Sequence, residues 1–67
     1  MNFEELNAEM GRCHLTIPKL ARIVGISPKT MYERFEGKRQ FKQSEISAIK
    51  QALHLTDKKV MVIFFTK

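Results

Sequence analysis

Apolar residues recur three and four positions apart along almost the whole chain, the spacing of one helical face and not of a strand. Phe3, Leu6 and Met10 form the first stripe and predict a helix from about Phe3 to Cys13. Asn2 is placed to cap it, and Glu4 and Glu5 suit the positive end of its dipole. Gly11 loosens its last turn. Ile17, Leu20, Ala21 and Val24 make a second stripe, with Thr16 as N-cap, Pro18 in the first turn and Gly25 as the end. Ser27 then caps a third helix running from Pro28 to Phe35 or Glu36. Met31 and Phe35 lie on its inner face, and Gly37 is its left-handed stop. After the loop Gly37 to Gln40, Phe41 is expected to anchor in the core. A fourth helix spans about Gln43 to Leu53, turning Ile46, Ile49, Ala52 and Leu53 inward. The fifth opens at the Thr56-Asp57 cap and runs through VMVIFF to near Phe65, leaving Thr66 and Lys67 to fray. The VMVIFF run is β-prone and also suits a strand; the cap and the spacing of Val60, Ile63 and Phe64 favour a helix. The expected class is therefore all-α, with five helices and no strands.

Size and charge narrow the picture. Sixty-seven residues make one domain, 1–67, near the lower limit for a lone hydrophobic core. An apolar content of 43% is ordinary for a globular fold and argues against disorder. Twelve Lys and Arg against seven Asp and Glu leave a net charge of +5. That excess favours polyanions, nucleic acid first and an acidic membrane surface second. The lone Cys13 rules out an internal disulfide, suits a reducing cytoplasm, and reads as a small apolar residue closing the first helix. No stretch is apolar enough to span a bilayer, and MNFEEL lacks the basic and apolar regions of a secretory signal, so a cytoplasmic protein is expected.

Chemistry for catalysis is not apparent. His14 reads as a helix C-cap, and neither it nor His54 has metal-ligand spacing with Cys13 or a carboxylate. The chain has no phosphate-cradling glycine loop and no nucleophile elbow. No enzyme activity, metal, cofactor or small-molecule substrate is expected.

The stretch Thr16 to Lys38 carries the functional signal. Two short helices pinched around Gly25, the second capped by Ser27-Pro28, in a strongly basic small protein, point to a helix-turn-helix that binds DNA. Such a unit reads base edges with the N-terminal turn of its second helix in the major groove. Ser27, Pro28, Lys29, Tyr32 and Glu33 lie on the face away from Met31 and Phe35. Lys29 can donate to guanine O6 and N7, Glu33 can accept from cytosine N4, and the Pro28 ring can touch a thymine methyl. Tyr32 can reach a phosphate or a sugar edge. The N–H groups around Thr16 and Ile17 form a natural anion site, and Lys38 and Arg39 follow the recognition helix where a strand of DNA would pass. Arg34 and Lys42 flank that loop, while Lys19 and Arg22 are weaker candidates. Neutralising about five phosphates per subunit gives a log–log salt slope of about −4 to −5.

The run TIPKLARIVGISPKTMYERFEGKRQF resembles the helix-turn-helix of the lambda-repressor/Cro-like family, the xenobiotic-response-element type. Leu20-Ala21, Gly25-Ile26-Ser27, Thr30-Met31, Gly37-Lys38 and Ser44-Glu45-Ile46 carry the match. The closing LTDKKVMVIFF resembles short phage-encoded members from Gram-positive bacteria, so the likeness extends from about Leu6 to Phe65. It implies a five-helix domain binding double-stranded operator DNA as a symmetric dimer, in a phage or prophage repressor of Cro type. It also implies base readers at Ser27, Pro28, Lys29 and Glu33, and phosphate binders at Thr16, Tyr32, Lys38 and Arg39. Three positions depart from the pattern. Ile17 stands where the family often has a phosphate-binding Gln, Pro28 where many members have a polar reader, and Lys42 where Ser or Thr caps the fourth helix. Readout leaning on DNA shape is one consequence.

One short helix reads few base pairs, so two half-sites and a homodimer are expected. Ile63, Phe64 and Phe65 cannot all point inward from one helix, which makes them the expected dimer patch. A competing reading is a protein-interaction module, an anti-repressor or adaptor, that keeps the fold without reading DNA; Ile17 and Pro28 favour it. A third is a nonspecific DNA-coating protein, which would show the salt slope without base preference.

Overall fold

In a computed structural model describing residues 1–65, those residues form five helices and no strand: α1 (Phe3–Arg12), α2 (Ile17–Val24), α3 (Pro28–Phe35), α4 (Gln43–Leu53) and α5 (Asp57–Phe64). The VMVIFF run is helical. The fraying expected at Thr66 and Lys67 falls outside the described residues. Among the described residues, no helix is long and apolar enough to cross a membrane.

The helix starts follow the capping residues. Asn2 Oδ1 accepts from Glu5 N at 3.1 Å, Ser27 Oγ from Thr30 N at 3.1 Å and Thr56 Oγ1 from Lys59 N at 3.1 Å. Thr16 Oγ1 accepts more weakly, from Lys19 N at 3.4 Å. Lys42 has no side-chain acceptor, yet the start of α4 is not loose. Glu45 reaches back, and its Oε1 accepts from Lys42 N at 2.9 Å.

The helix ends share another device. Among the described residues, four after helices adopt positive φ: His14 (56°), Gly25 (90°), Gly37 (81°) and His54 (54°). Each reverses the chain so that the following N–H bonds back into the last turn, as in Leu15 N to Met10 O at 2.9 Å and Lys38 N to Glu33 O at 3.0 Å. Glycine does this without steric penalty, whereas the two histidines carry a Cβ into the left-handed region at a cost of about 1–2 kcal/mol each. The first helix thus stops at Arg12, with Cys13 as its cap and His14 one residue beyond. Gly11 lies inside the helix and does not shorten it.

The predicted apolar stripes converge on one core. Leu6, Leu20, Met31, Ile49, Leu53 and Ile63 are fully buried, with Met10, Ala21 and Leu55 beside them. The α2 helix packs against both α3 and α4, while α5 packs against α1 and α4. Asn2 N donates to Ile63 O at 2.7 Å, and Lys59 lies 3.6 Å from Glu5, so polar contacts also tie α1 to α5. Arg12 uses Nη2 on the Leu53 carbonyl at 3.0 Å, satisfying an acceptor at the end of α4.

Candidate nucleic-acid interface

Ala21 and Leu20 root α2 in the core, and Met31 roots α3. Gly25 turns the chain between them, with Gly25 N and Ile26 N both donating to Ala21 O, at 2.8 and 3.0 Å. This geometry projects the first turn of α3 outward. Ser27, Pro28 and Lys29 are exposed, and Tyr32 is 47% exposed. Ser27 also donates its hydroxyl to Thr30 Oγ1 at 2.9 Å while accepting from Thr30 N, so one lone pair is left for a ligand. Glu33 is half-buried, which makes it the least exposed of the expected base readers.

The helix dipoles set α2 and α3 apart. The first turns of α1, α4 and α5 each hold an acidic residue, whereas those of α2 and α3 hold none. Their positive ends are therefore not offset by a carboxylate in the first turn. At the start of α2, Pro18 has no N–H and Lys19 N is taken by Thr16, which leaves the N–H groups of Thr16 and Ile17 for an anion. The Ile17 side chain itself packs against the core.

After α3, Lys38, Arg39 and Lys42 are exposed. Lys38 lies 3.5 Å from Glu36, but both side chains are more than half exposed, so this pair is screened and weak. With eight residues, α3 is about 12 Å long, which separates its tip from this loop by about the width of the major groove. Lys19 and Arg22 are exposed on α2.

Two expectations are overturned. Arg34 is not a phosphate contact: it is 7% exposed, and its guanidinium forks onto Glu45, with Nε to Oε1 at 2.7 Å and Nη2 to Oε2 at 3.0 Å. The reason is helical phase. Arg34 stands three residues after Met31, and Glu45 four before Ile49, so both fall on buried stripes. The hydrogen bond from Arg34 holds the Glu45 carboxyl below the ordinary carboxylate range against the opposing effect of burial, helped by the Lys42 N–H. The same bond raises Arg34. Likewise Ile63 cannot belong to a dimer patch, because it is 0% exposed and inside the core. Phe64 is half-buried with its ring edge-on to Phe41, centroids 5.5 Å apart. Phe65, at 54% exposed, and the half-buried Phe64 remain from that patch, and Met61 at 56%, one turn earlier, is exposed as well. A spacing of four puts Met61 and Phe65 on one stripe.

No family model, curated protein or solved structure matches the chain.

Proposed function

We propose that the chain is a sequence-specific DNA-binding regulator of transcription, a helix-turn-helix domain of the lambda-repressor/Cro-like kind acting in the cytoplasm as a small phage or prophage repressor. The observation that carries this reading is the bare first turn of α3, beside two helix starts that lack the acidic residue found on the other three. In this mechanism α3 enters the major groove, and Lys29 reads guanine while Pro28 meets a thymine methyl. Thr16 and Ile17 clamp one phosphate through backbone N–H groups, and Lys38, Arg39 and Lys42 hold further phosphates from the far end of α3. With Arg34 removed from the set, three loop cations remain, and the salt slope expected per subunit falls to about −3. Two half-sites about one helical turn apart require two copies on DNA, for which Met61 and Phe65 offer an exposed apolar surface. The reading assigns no catalysis, metal or cofactor.

Selection from random duplex DNA at fixed salt tests it. Enrichment of a two-fold symmetric site is the expected result. Retention of DNA without any enriched sequence would reduce the protein to a nonspecific coat. Failure to retain DNA would favour the interaction module, a reading to which exposed Ile23 on α2 lends an apolar contact point.

A further inference from the structure

Bordering the phosphate-binding loop of the proposed DNA face lies a groove of about 400 Å³, between the start of α1, the loop after α3 and the end of α5. That volume is in the range of small-molecule sites. Its walls are aromatic: Phe3, Phe41, Phe64 and Phe65 all line it. Three of these rings belong to a packed chain with Phe35. The centroid separations are 6.0 Å for Phe3–Phe35, 6.2 Å for Phe35–Phe41 and 5.5 Å for Phe41–Phe64. Edge-to-face and tilted packing of this kind makes a stiff wall, so the groove is shaped before anything enters it.

Among the described residues, two guanidinium groups line the same groove and no carboxylate side chain does. Arg34 is more than nine-tenths buried and spends Nε and Nη2 on Glu45, which leaves Nη1 without a protein partner among the described residues. Arg39 is exposed and has no partner among them either. An aromatic slot with unspent guanidinium donors suits a ligand that is apolar at one end and anionic at the other.

We infer that this groove binds a small amphipathic carboxylic acid, its ring or chain lying among the phenylalanines and its carboxylate meeting Arg39 and the free Nη1 of Arg34. The site stands independently of DNA binding. If the domain grips DNA as proposed above, a bound acid takes Arg39 from its phosphate and weakens that grip.

The test needs no DNA. Hydrocinnamate is titrated into isotope-labelled protein and followed by amide resonances, with the neutral hydrocinnamide and with acetate as controls. Saturable shifts at Gly37, Gln40 and Ile46 are expected, since these residues also border the groove. The acid should bind about tenfold more tightly than its amide, the worth of a charge-assisted hydrogen bond, and acetate should not saturate. Arg39→Gln, an exposed loop change that leaves the core intact, should erase most of that preference. Equal binding of acid and amide, or a preference that survives Arg39→Gln, overturns the proposal. So does the absence of saturable binding. Loss of acid binding when the protein is concentrated into a self-associated state would make the groove a subunit interface and would overturn it as well.

Discussion

Arg34 and Arg39 stand five residues apart, on either side of the turn that closes α3, and they lead opposite lives. The first is buried and spends Nε and Nη2 on Glu45, keeping only Nη1 open to the groove. The second is exposed, with no protein partner among the described residues. Identical side chains thus do structural work at one end of a loop and remain available at the other. The difference teaches that net charge counts cations but does not locate them. A residue on a buried helical stripe spends most of its donors within the fold whatever its charge, and a residue in a glycine-started loop does not.

The largest effect that could break this contrast is on stability. Glu45→Ala leaves Arg34 buried without its partner and should cost about 3–5 kcal/mol in denaturant unfolding. Arg39→Ala, on the exposed side, should change stability by less than about 0.5 kcal/mol. Comparable losses in the two variants would erase the distinction. The pH profile carries the same information. Because Arg34 depresses the Glu45 carboxyl in the folded state, its contribution is fully present above the unfolded carboxylate pKa and is lost as pH falls through the lower folded value. Glu45→Gln should therefore flatten the acid limb of the stability curve, and Arg39→Gln should leave it unchanged.

Next comes DNA affinity, where the ranking reverses. The double change Lys38→Ala and Arg39→Ala should weaken binding to specific and random duplex alike and make the salt slope shallower by about 2 per subunit. Lys29→Ala should instead cost about 1–3 kcal/mol at the selected site and little elsewhere. Titrations at several salt concentrations separate the two. If both variants bind as the parent does, the loop and the helix tip play no part in DNA recognition.

The smallest expected effect joins both sides. Lys42 begins α4 without a side-chain acceptor, so Lys42→Ser should add a cap worth about 1 kcal/mol in thermal or denaturant unfolding. It also removes a loop cation, which should take about 1 from the salt slope. A variant that is more stable and grips DNA less tightly would show the two roles of this segment to be separable.

Much of the architecture was legible from local rules. Asn2, Thr16, Ser27 and Thr56 each sit one residue before a helix and bond its first turn, which needs no knowledge of the rest of the chain. Gly25 and Gly37 mark left-handed ends for the same reason. His14 and His54 were harder to read as left-handed, because that conformation in a residue with a Cβ is imposed by the leucine that follows, bonded back to the helix. The site was less legible. The spacing from Met31 to Arg34 and from Glu45 to Ile49 already placed the pair inward, but charge argued for the surface and outweighed phase. Ile63 lies three after Val60 on the inner stripe, a phase that the run of three consecutive apolar residues hides. The aromatic groove could not be foreseen, since Phe3, Phe41 and Phe64 meet only once α1, the loop and α5 have docked.

Glu45 accepts two bonds from Arg34 and one from the Lys42 amide, across a span of eleven residues. The segment carrying Lys38 and Arg39 is therefore moored at both ends before any partner arrives. Much of the ordering entropy that a floppy basic tail would lose on meeting an anion has already been surrendered during folding. Such a tether readies the loop for its grip, and it works only while that single carboxylate keeps its charge.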